Sequence, residues 1–176
     1  AAAVALPAQA GDPPASHHAE LDAIAHAVSA RSLHDLDAAL VGFGARSTLS
    51  DTHSATRGIG AARRFVKAQL EQIARGCGGC LRVVTPSKVF TGERTPENGV
   101  EVVDVVAIQR GTTDPDRVIV ITAHLDSRRT DVMDAVGDAP GADDDASGVS
   151  ALIEAARVLS RYRFPATLLH SADSGE

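Results

Sequence analysis

The chain is poor in aromatic residues and has no long apolar run. Its 176 residues include no Trp, one Tyr and four Phe, which leaves few aromatic faces on which nucleic-acid bases could stack. The net charge of −6 is unsuited to binding a phosphate backbone. No stretch of 18 apolar residues is present, which argues against a transmembrane helix. We therefore expect an aliphatic core and neither a nucleic-acid nor a membrane partner.

The first fifteen residues are typical of an export signal rather than of a folded element. Residues 1–6 are apolar, and residues 8–10 read Ala-Gln-Ala, the small-residue pattern at which signal peptides are cleaved. The alternative is an alanine-rich leader without structure. We expect residues 1–15 to be a signal-peptide remnant and spacer, residues 16–176 to form part of one domain, and the protein to be secreted or periplasmic.

Cysteine is also scarce, since Cys77 and Cys80 are the only two. A zinc knuckle would need a second pair of ligands. A thioredoxin-type redox pair begins a helix, whereas this pair follows one. We therefore expect a structural disulfide worth about 2 kcal/mol, with a redox function as the alternative.

Hydrophobic periodicity predicts three helices in the first half, over residues 17–30, 32–40 and 59–76. Ser32 and Asp35 form a capping box that would begin the second helix.

Between the second and third helices, residues 42–58 form a long loop rich in Gly, Ser and Thr. Ordered loops of this length are usually functional. On the third helix, Arg63, Arg64 and Lys67 are expected to face solvent.

The second half alternates strands with a helix. Residues 118–123 are a continuous apolar run, which predicts a strand buried on both faces. A loop, a helix over 147–161 and a strand over 166–172 follow, which makes a strand–helix–strand unit. The class is α/β, with a mixed, mostly parallel sheet flanked by helices. Three further strands are predicted, over residues 81–85, 88–91 and 100–109.

Imidazole and carboxylate groups cluster at the ends of this unit. His124 and Asp126 follow its first strand, Asp143–Asp145 precede its helix, and Glu176 follows its second strand. Because the carboxyl ends of parallel strands meet at one sheet edge, these groups should lie together. Nitrogen with carboxylate oxygen suits zinc better than calcium. Asp126 is placed to reach the second ring nitrogen of His124 and fix its tautomer.

The segments that carry these groups resemble a known family. Residues 118–127 read Val-Ile-Val-Ile-Thr-Ala-His-Leu-Asp-Ser, and residues 139–148 read Ala-Pro-Gly-Ala-Asp-Asp-Asp-Ala-Ser-Gly. Residues 174–176 look like the start of a Gly-Glu-Glu motif. In combination and order, these segments are similar to the secreted bacterial di-zinc aminopeptidases of peptidase family M 28. The resemblance covers residues 100–176 well and the preceding part more loosely.

The resemblance implies a zinc-exopeptidase fold and a site with two zinc ions. His124 would bind one zinc and Asp126 would orient it. Asp144 would bridge both ions and be followed by a cis peptide bond. Glu176 would be the general base. Peptides would be the substrates, and paired cations would polarise the scissile carbonyl.

The sequence departs from the family pattern in two places. The chain stops at Glu176, before further family zinc ligands. The fold is thus expected to be truncated at its C-terminal side, and the 176 residues alone to be inactive. The last strand is also unusually polar, and we expect its His170 to be structural rather than a ligand.

The sequence predicts a zinc aminopeptidase that releases N-terminal residues from peptides. Alternatives are a carboxypeptidase or glutaminyl cyclase relative, or a non-catalytic binding domain of the same fold. Oligomeric state and side-chain preference are not predicted.

Overall fold

The computed structural model describes residues 18–175, so the proposed signal-peptide remnant and Glu176 lie outside the described residues. Across residues 18–175, no helix is both long enough and apolar enough to cross a membrane. The elements in chain order are α1 (Ala19–His26), α2 (Ala30–Val41), α3 (Gly58–Gly76), β1 (Arg82–Val84), β2 (Ser87–Phe90), β3 (Val100–Val103), β4 (Val105–Gln109), β5 (Asp114–His124), a π-helical turn (Ala142–Ala146), α4 (Ser147–Leu159) and β6 (Ala166–Asp173).

Four of the strands form one mixed sheet, in the order β1-β4-β6-β5. Strand β6 is parallel to β5 and antiparallel to β4, and β4 is antiparallel to β1. Strands β2 and β3 form a separate antiparallel hairpin. The predicted α/β class and mixed sheet are confirmed, and β5, α4 and β6 form the expected strand–helix–strand unit. The expectation of a mostly parallel sheet does not hold within residues 18–175, because two of the three strand pairings are antiparallel.

The core lies between one face of the sheet and the helices. The sheet contributes small and β-branched side chains because helices must pack closely against it. Helices α2, α3 and α4 contribute their apolar stripes at helical spacing. The residues of this cluster include Leu36, Leu40, Ile59, Val66, Leu70, Val105, Ala107, Ala123, Val149, Leu152, Ile153 and Ala172.

The expectation that β5 is buried on both faces is wrong for the described part of the chain. Val118, Ile119 and Val120 are 49–56% exposed. The reason is that β5 is an edge strand, and among residues 18–175 it pairs only with β6. The apolar run identifies a strand but not its neighbours.

The capping box predicted at Ser32 and Asp35 is also wrong. Helix α2 begins at Ala30, and its N-cap is Ser29, three residues before Ser32, whose N–H the Ser29 hydroxyl accepts at 3.2 Å. Ser32 is instead inside the first turn and donates to Glu154. A hydroxyl residue at either position would suit a cap, and packing against α4 decides between them.

Arg63 does not face solvent as expected. It is only 9% exposed, and its Nε and Nη2 have no hydrogen-bond partner within residues 18–175. Because it lies four residues after buried Ile59 and three before buried Val66, it shares their helix face. Helical spacing alone would have placed Arg63 on the buried face of α3. The expectation of exposure came from the residue type, because arginine side chains are mostly exposed.

The expected disulfide between Cys77 and Cys80 is present in the structure. It lies directly after α3, which ends at Gly76 as predicted. Gly78 and Gly79 take positive φ angles of 69° and 83° in the short loop that the bond closes. The pair is remote in sequence from the groups at the carboxyl end of β5.

Candidate metal centre

His124 is the last residue of β5 and lies beside the turn that precedes α4. Its backbone N–H donates to Asp145 Oδ2 at 3.2 Å. Its ring Nδ1 lies 3.0 Å from the backbone carbonyl oxygen of Asp126 and 3.8 Å from the nearer Asp126 carboxylate oxygen. The close partner of Nδ1 is therefore the Asp126 carbonyl and not the carboxylate that the sequence suggested.

The middle residue of the aspartate triplet faces His124. Asp144 Oδ1 lies 2.9 Å from His124 Nε2. The bond between Asp144 and Asp145 is a cis peptide, as the resemblance implied. Asp145 has a different task, because its Oδ1 accepts the Gly148 N–H in the first turn of α4. Asp144 is thus the carboxylate beside His124, and Asp145 is the carboxylate at the start of α4.

The His124–Asp144 pair fits a divalent cation. Since a carbonyl oxygen can only accept, His124 Nδ1 carries the hydrogen in the neutral ring, and Nε2 presents a lone pair. That lone pair faces a carboxylate oxygen, so a proton or a metal ion between them is required for attraction. Two zinc ligands at about 2.0–2.1 Å in tetrahedral geometry lie roughly 3.3 Å apart. The observed 2.9 Å is a hydrogen-bond distance, so the two atoms would have to separate slightly to hold an ion.

The pair makes an incomplete ligand set within the described residues. No group of three or more His, Cys, Asp or Glu side chains is arranged around one point between residues 18 and 175. The Asp144 side chain is 78% exposed and the His124 side chain 32% exposed, so both reach solvent. Residues 18–175 therefore supply two candidate ligands for one ion.

Asp126 is buried behind this pair and held by two other segments. Its Oδ2 accepts the Thr48 hydroxyl at 2.6 Å and the Gly175 N–H at 2.9 Å. Gly175 also donates to Thr48 Oγ1 at 3.1 Å. The backbone that leads to Glu176 is therefore anchored beside Asp126. Glu176 lies outside the described residues, so its predicted role stays a prediction.

Charged groups close to Asp126 are partly removed from water. Burial raises the pKa of Asp104, whose Oδ1 accepts the Ser174 N–H at 3.0 Å. Burial lowers the pKa of Arg63, and the carboxylates of Asp126, Glu101 and Asp104 oppose that effect. A buried cation thus offsets part of the negative charge that gathers at this end of the sheet.

His170 is not part of the His124–Asp144 pair. It is fully buried in β6, and neither ring nitrogen has a hydrogen-bond partner among the described residues. Burial lowers its pKa to about 4, so the ring is neutral at pH 7. This agrees with the structural role expected from the sequence.

A cavity of about 550 Å³ adjoins Asp126. This volume is in the range of ligand pockets. Its walls combine apolar side chains from the β2–β3 hairpin with polar groups from the segments that connect the helices and strands. The lining includes Thr48, Leu49, Phe90, Val100, Val102, Asp104, Asp126 and Gly175.

Two residues of the long loop were not identified from the sequence as part of the site. Arg46 is fully buried against the segments that carry His124 and Asp144, and Thr48 binds Asp126. The length and composition of the loop predicted that it is functional, but they did not predict which of its residues contact the site.

Comparisons with known proteins agree with the resemblance. The family profile described as Peptidase family M28 matches residues 104–172. A probable zinc metalloprotease of Leptosphaeria maculans is 42% identical over 89% of this chain and 36% of its own length. One of Pyricularia oryzae is 45% identical over 78% of this chain and 27% of its own length. The chain thus spans about a third of the length of the curated relatives it matches.

Solved structures share the fold. LapB from Legionella pneumophila has a TM-score of 0.69 at 25% identity, over 93% of this chain and 39% of that one. The glutaminyl cyclase of Porphyromonas gingivalis has a TM-score of 0.65 at 20% identity, over 84% and 48% of the two chains. A leucine aminopeptidase precursor of Bacteroides thetaiotaomicron has a TM-score of 0.62 at 19% identity, over 85% and 49%. These structures show the shared fold, while the family profile and the fungal relatives show that residues of this chain are similar to peptidase family M28.

Proposed function

We propose that these residues are part of a zinc-dependent exopeptidase that releases N-terminal residues from peptides. The observation that carries the proposal is the approach of His124 Nε2 to Asp144 Oδ1, at 2.9 Å, with the opposite ring nitrogen held by a carbonyl oxygen. Imidazole nitrogen and carboxylate oxygen are group types that zinc takes as ligands in proteins. The relatives described as probable zinc metalloproteases support the choice of metal.

Each candidate site residue has a task in this proposal. His124 and Asp144 would hold zinc, and Asp144 would be shared between two ions. Bound zinc would supply Lewis-acid chemistry, which polarises a carbonyl and favours attack by water at neutral pH. Asp126, through its carbonyl oxygen, keeps the His124 ring in the orientation that presents Nε2. Glu176 would accept the proton of the attacking water.

Glutaminyl cyclase activity is the second candidate, because several solved cyclases share the fold with TM-scores from 0.60 to 0.66. Their identities to this chain are between 16% and 21%, which shows fold alone. A carboxypeptidase or a non-catalytic domain would use the same scaffold. Proteolysis is favoured over cyclisation by the relatives, which are described as probable zinc metalloproteases.

The test measures zinc content and substrate choice in the protein at its full natural length. We expect two zinc ions per chain by elemental analysis, and release of free amino acid from an unblocked peptide but not from its N-acetylated form. A peptide with N-terminal Gln separates the cyclase, which would convert it to pyroglutamate without shortening it. Absence of zinc, or cleavage only from the carboxyl end, would contradict the proposal.

The base is tested by Glu176→Gln, which removes the proton acceptor and keeps the size of the side chain. We expect zinc content to stay at the wild-type level while most turnover is lost. If the variant folds but loses zinc, Glu176 is a ligand and the proposed role is wrong.

We also propose that the protein is exported to a secreted or periplasmic location. The Cys77–Cys80 disulfide supports this, because such bonds persist in oxidising compartments. Mass spectrometry of freshly isolated, unreduced protein should show two hydrogens fewer than the thiol form. Free thiols, or recovery of the protein only from cytosol, would contradict export.

A further inference from the structure

The loop between α2 and α3 lies against both segments that carry the candidate zinc ligands. Ala45 forms an isolated parallel bridge with Ala139. The Ala139 N–H donates to the Gly44 carbonyl oxygen at 3.1 Å. The Ser127 hydroxyl donates to the Ala139 carbonyl oxygen at 2.6 Å. The loop, the end of β5 and the approach to the aspartate triplet are thus joined at one place.

Arg46 is the centre of this contact. Its guanidinium donates from Nε to the Leu125 carbonyl oxygen at 2.9 Å and from Nη2 to that of Gly141 at 2.9 Å. Nη1 donates to the carbonyl oxygens of Pro140 at 2.6 Å and Leu40 at 3.1 Å. The Arg46 side chain therefore hydrogen-bonds to three separate backbone segments, at Leu40, Leu125 and 140–141.

The carbonyl groups that Arg46 binds are next to the candidate ligands in sequence. Leu125 lies between His124 and Asp126, and Pro140–Gly141 directly precede the turn that contains Asp144. The guanidinium thereby sets the distance between the strand end and the turn. The separation of His124 Nε2 from Asp144 Oδ1 depends on that distance.

The cost of burying Arg46 argues that the arrangement is specific. The side chain is fully buried, and burial lowers its pKa. Among residues 18–175 its hydrogen bonds go to carbonyl oxygens, and nearby carboxylates act only over a distance. A cation buried in this way is tolerated only where its donors are well satisfied.

The packing around Arg46 leaves little room for adjustment. Gly141 has a φ of 48°, and a Cβ at this position would lie 3.1 Å from Arg46 Nη2 and 2.7 Å from Ser127 Cβ. It would also collide with the carbonyl oxygen of Asp144. The backbone that leads to Asp144 therefore passes closely over the guanidinium, which restricts its position.

Thr48 lies two residues further along the loop and binds Asp126, the third residue of the candidate site. Its hydroxyl donates to Asp126 Oδ2 at 2.6 Å and accepts the Gly175 N–H at 3.1 Å. It thus fixes the Asp126 carboxylate together with the backbone next to Glu176. Arg46 and Thr48 between them contact every segment on which a candidate site residue lies.

We propose that Arg46 and Thr48 are positioning residues of the metal site. Arg46 holds the His124 segment and the Asp144 turn at the separation that one ion requires, and Thr48 holds the Asp126 carboxylate. The expected effect on zinc affinity rests on the proposed function. The expected effect on the order of the backbone around His124 and Asp144 does not.

The first test is Arg46→Lys, which keeps the charge but replaces the planar fork by a single ammonium group. We expect zinc affinity, measured by competition with a chelator, to fall at least about tenfold. The visible absorption spectrum of the cobalt(II) form should change. In metal-free protein, amide hydrogen exchange should accelerate in residues 125–127 and 139–146 while α3 and α4 keep wild-type rates.

The matched control is Arg64→Lys. Arg64 also donates to loop carbonyl groups, those of Thr52 and Ser54, but it is exposed and contacts neither ligand segment. We expect wild-type zinc affinity, cobalt spectrum and exchange. If Arg46→Lys equals this control in all three measurements, the proposal is overturned.

A second variant covers the case in which Arg46→Lys unfolds the whole protein. Thr48→Val keeps the shape of the side chain and removes the hydroxyl. We expect at least about a tenfold loss of kcat and an altered cobalt spectrum, both recovered in Thr48→Ser, which keeps the hydroxyl. Wild-type values in Thr48→Val would overturn the assignment of Thr48 and, with an unfolded Arg46→Lys, the whole proposal.

The experiment separates this inference from the proposed function. A wild-type protein that binds no zinc contradicts the proposed function, and the exchange rates of metal-free Arg46→Lys still decide whether Arg46 orders the two segments. If the wild-type protein is a zinc enzyme but neither Arg46→Lys nor Thr48→Val changes its zinc affinity, kcat or cobalt spectrum, only this inference is contradicted.

Discussion

Asp144 and Asp143 are adjacent carboxylates with different surroundings, and this allows a matched test of the candidate ligand. Only Asp144 faces His124 Nε2. We expect Asp144→Asn to lower zinc affinity by at least about tenfold, because a neutral amide is a poor ligand for one cation and a poorer bridge between two. Asp143→Asn should leave affinity unchanged. Equal zinc binding in both variants, measured by chelator competition, would remove Asp144 from the site.

His170 gives the stability of the protein a pH dependence that can be assigned to one residue. Its pKa is lowered to about 4 by burial, below the ordinary value of 6.5. Between those two pH values the unfolded chain binds a proton that the folded chain does not. Stability is therefore complete above about pH 6.5 and falls as the pH drops towards 4, by about 3 kcal/mol in total.

The variant His170→Leu should remove this slope. Leu has a similar size and no ring nitrogens to desolvate, so the unfolding free energy at pH 7 should stay equal or rise. Denaturant unfolding at a series of pH values between 7 and 4 measures both effects. His34→Leu, at an exposed position, should retain the wild-type slope. An unchanged slope in His170→Leu would show that another group causes it.

At the scale of elements, local pattern predicted what forms but not what each element packs against. The spacing of Ile59, Val66 and Leu70 located α3, and the apolar run at 118–123 located β5. The exposure of Val120 and the burial of Arg63 were missed because both depend on neighbours distant in sequence. Side-chain type gives only an average tendency for burial, which tertiary contacts override.

The contact between α4 and the start of α2 depends on a buried carboxylate. Glu154 accepts hydrogen bonds from the Ser29 N–H, the Ser32 hydroxyl and the Arg157 guanidinium. The bond with Arg157 is the main cause that lowers the pKa of Glu154 to about 2, from 4.5. The ion pair therefore stabilises the fold above about pH 4.5, and that stability is lost as the pH falls towards 2.

We expect Glu154→Gln to lower the unfolding free energy at pH 7 by about 3 kcal/mol. The loss should shrink to less than about 0.5 kcal/mol at pH 2, where the wild-type carboxylate is about half protonated. The control is Glu71→Gln, which breaks an exposed pair with Lys67 and should cost less than about 0.5 kcal/mol. Chemical denaturation of both variants at pH 7 compares them. Equal losses would mean that Glu154 is not the junction between the helices.

At the scale of the whole molecule, the sequence predicted which segments meet, because the topology of a strand–helix–strand unit leaves few choices. His124 and Asp144 are brought together from 20 residues apart as that rule requires. The fastening of these segments by Arg46 was not predictable, since its partners are carbonyl oxygens, which every residue has. Residue identity carries no information about such backbone partners.

Metal should therefore stabilise the whole fold and not only the site, because the candidate ligands belong to two segments that must be held together. Zinc that binds only the folded state at a hundred times its Kd adds about 2.7 kcal/mol. We expect Tm to rise with zinc concentration in the wild-type protein and to fall when a chelator removes the metal. Asp144→Asn should melt near the metal-free wild type and show little response to zinc, while Asp143→Asn should respond as the wild type does. A zinc-dependent rise in Tm that persists undiminished in Asp144→Asn would place the stabilising ion elsewhere and contradict a site built on the strand end and the turn before α4.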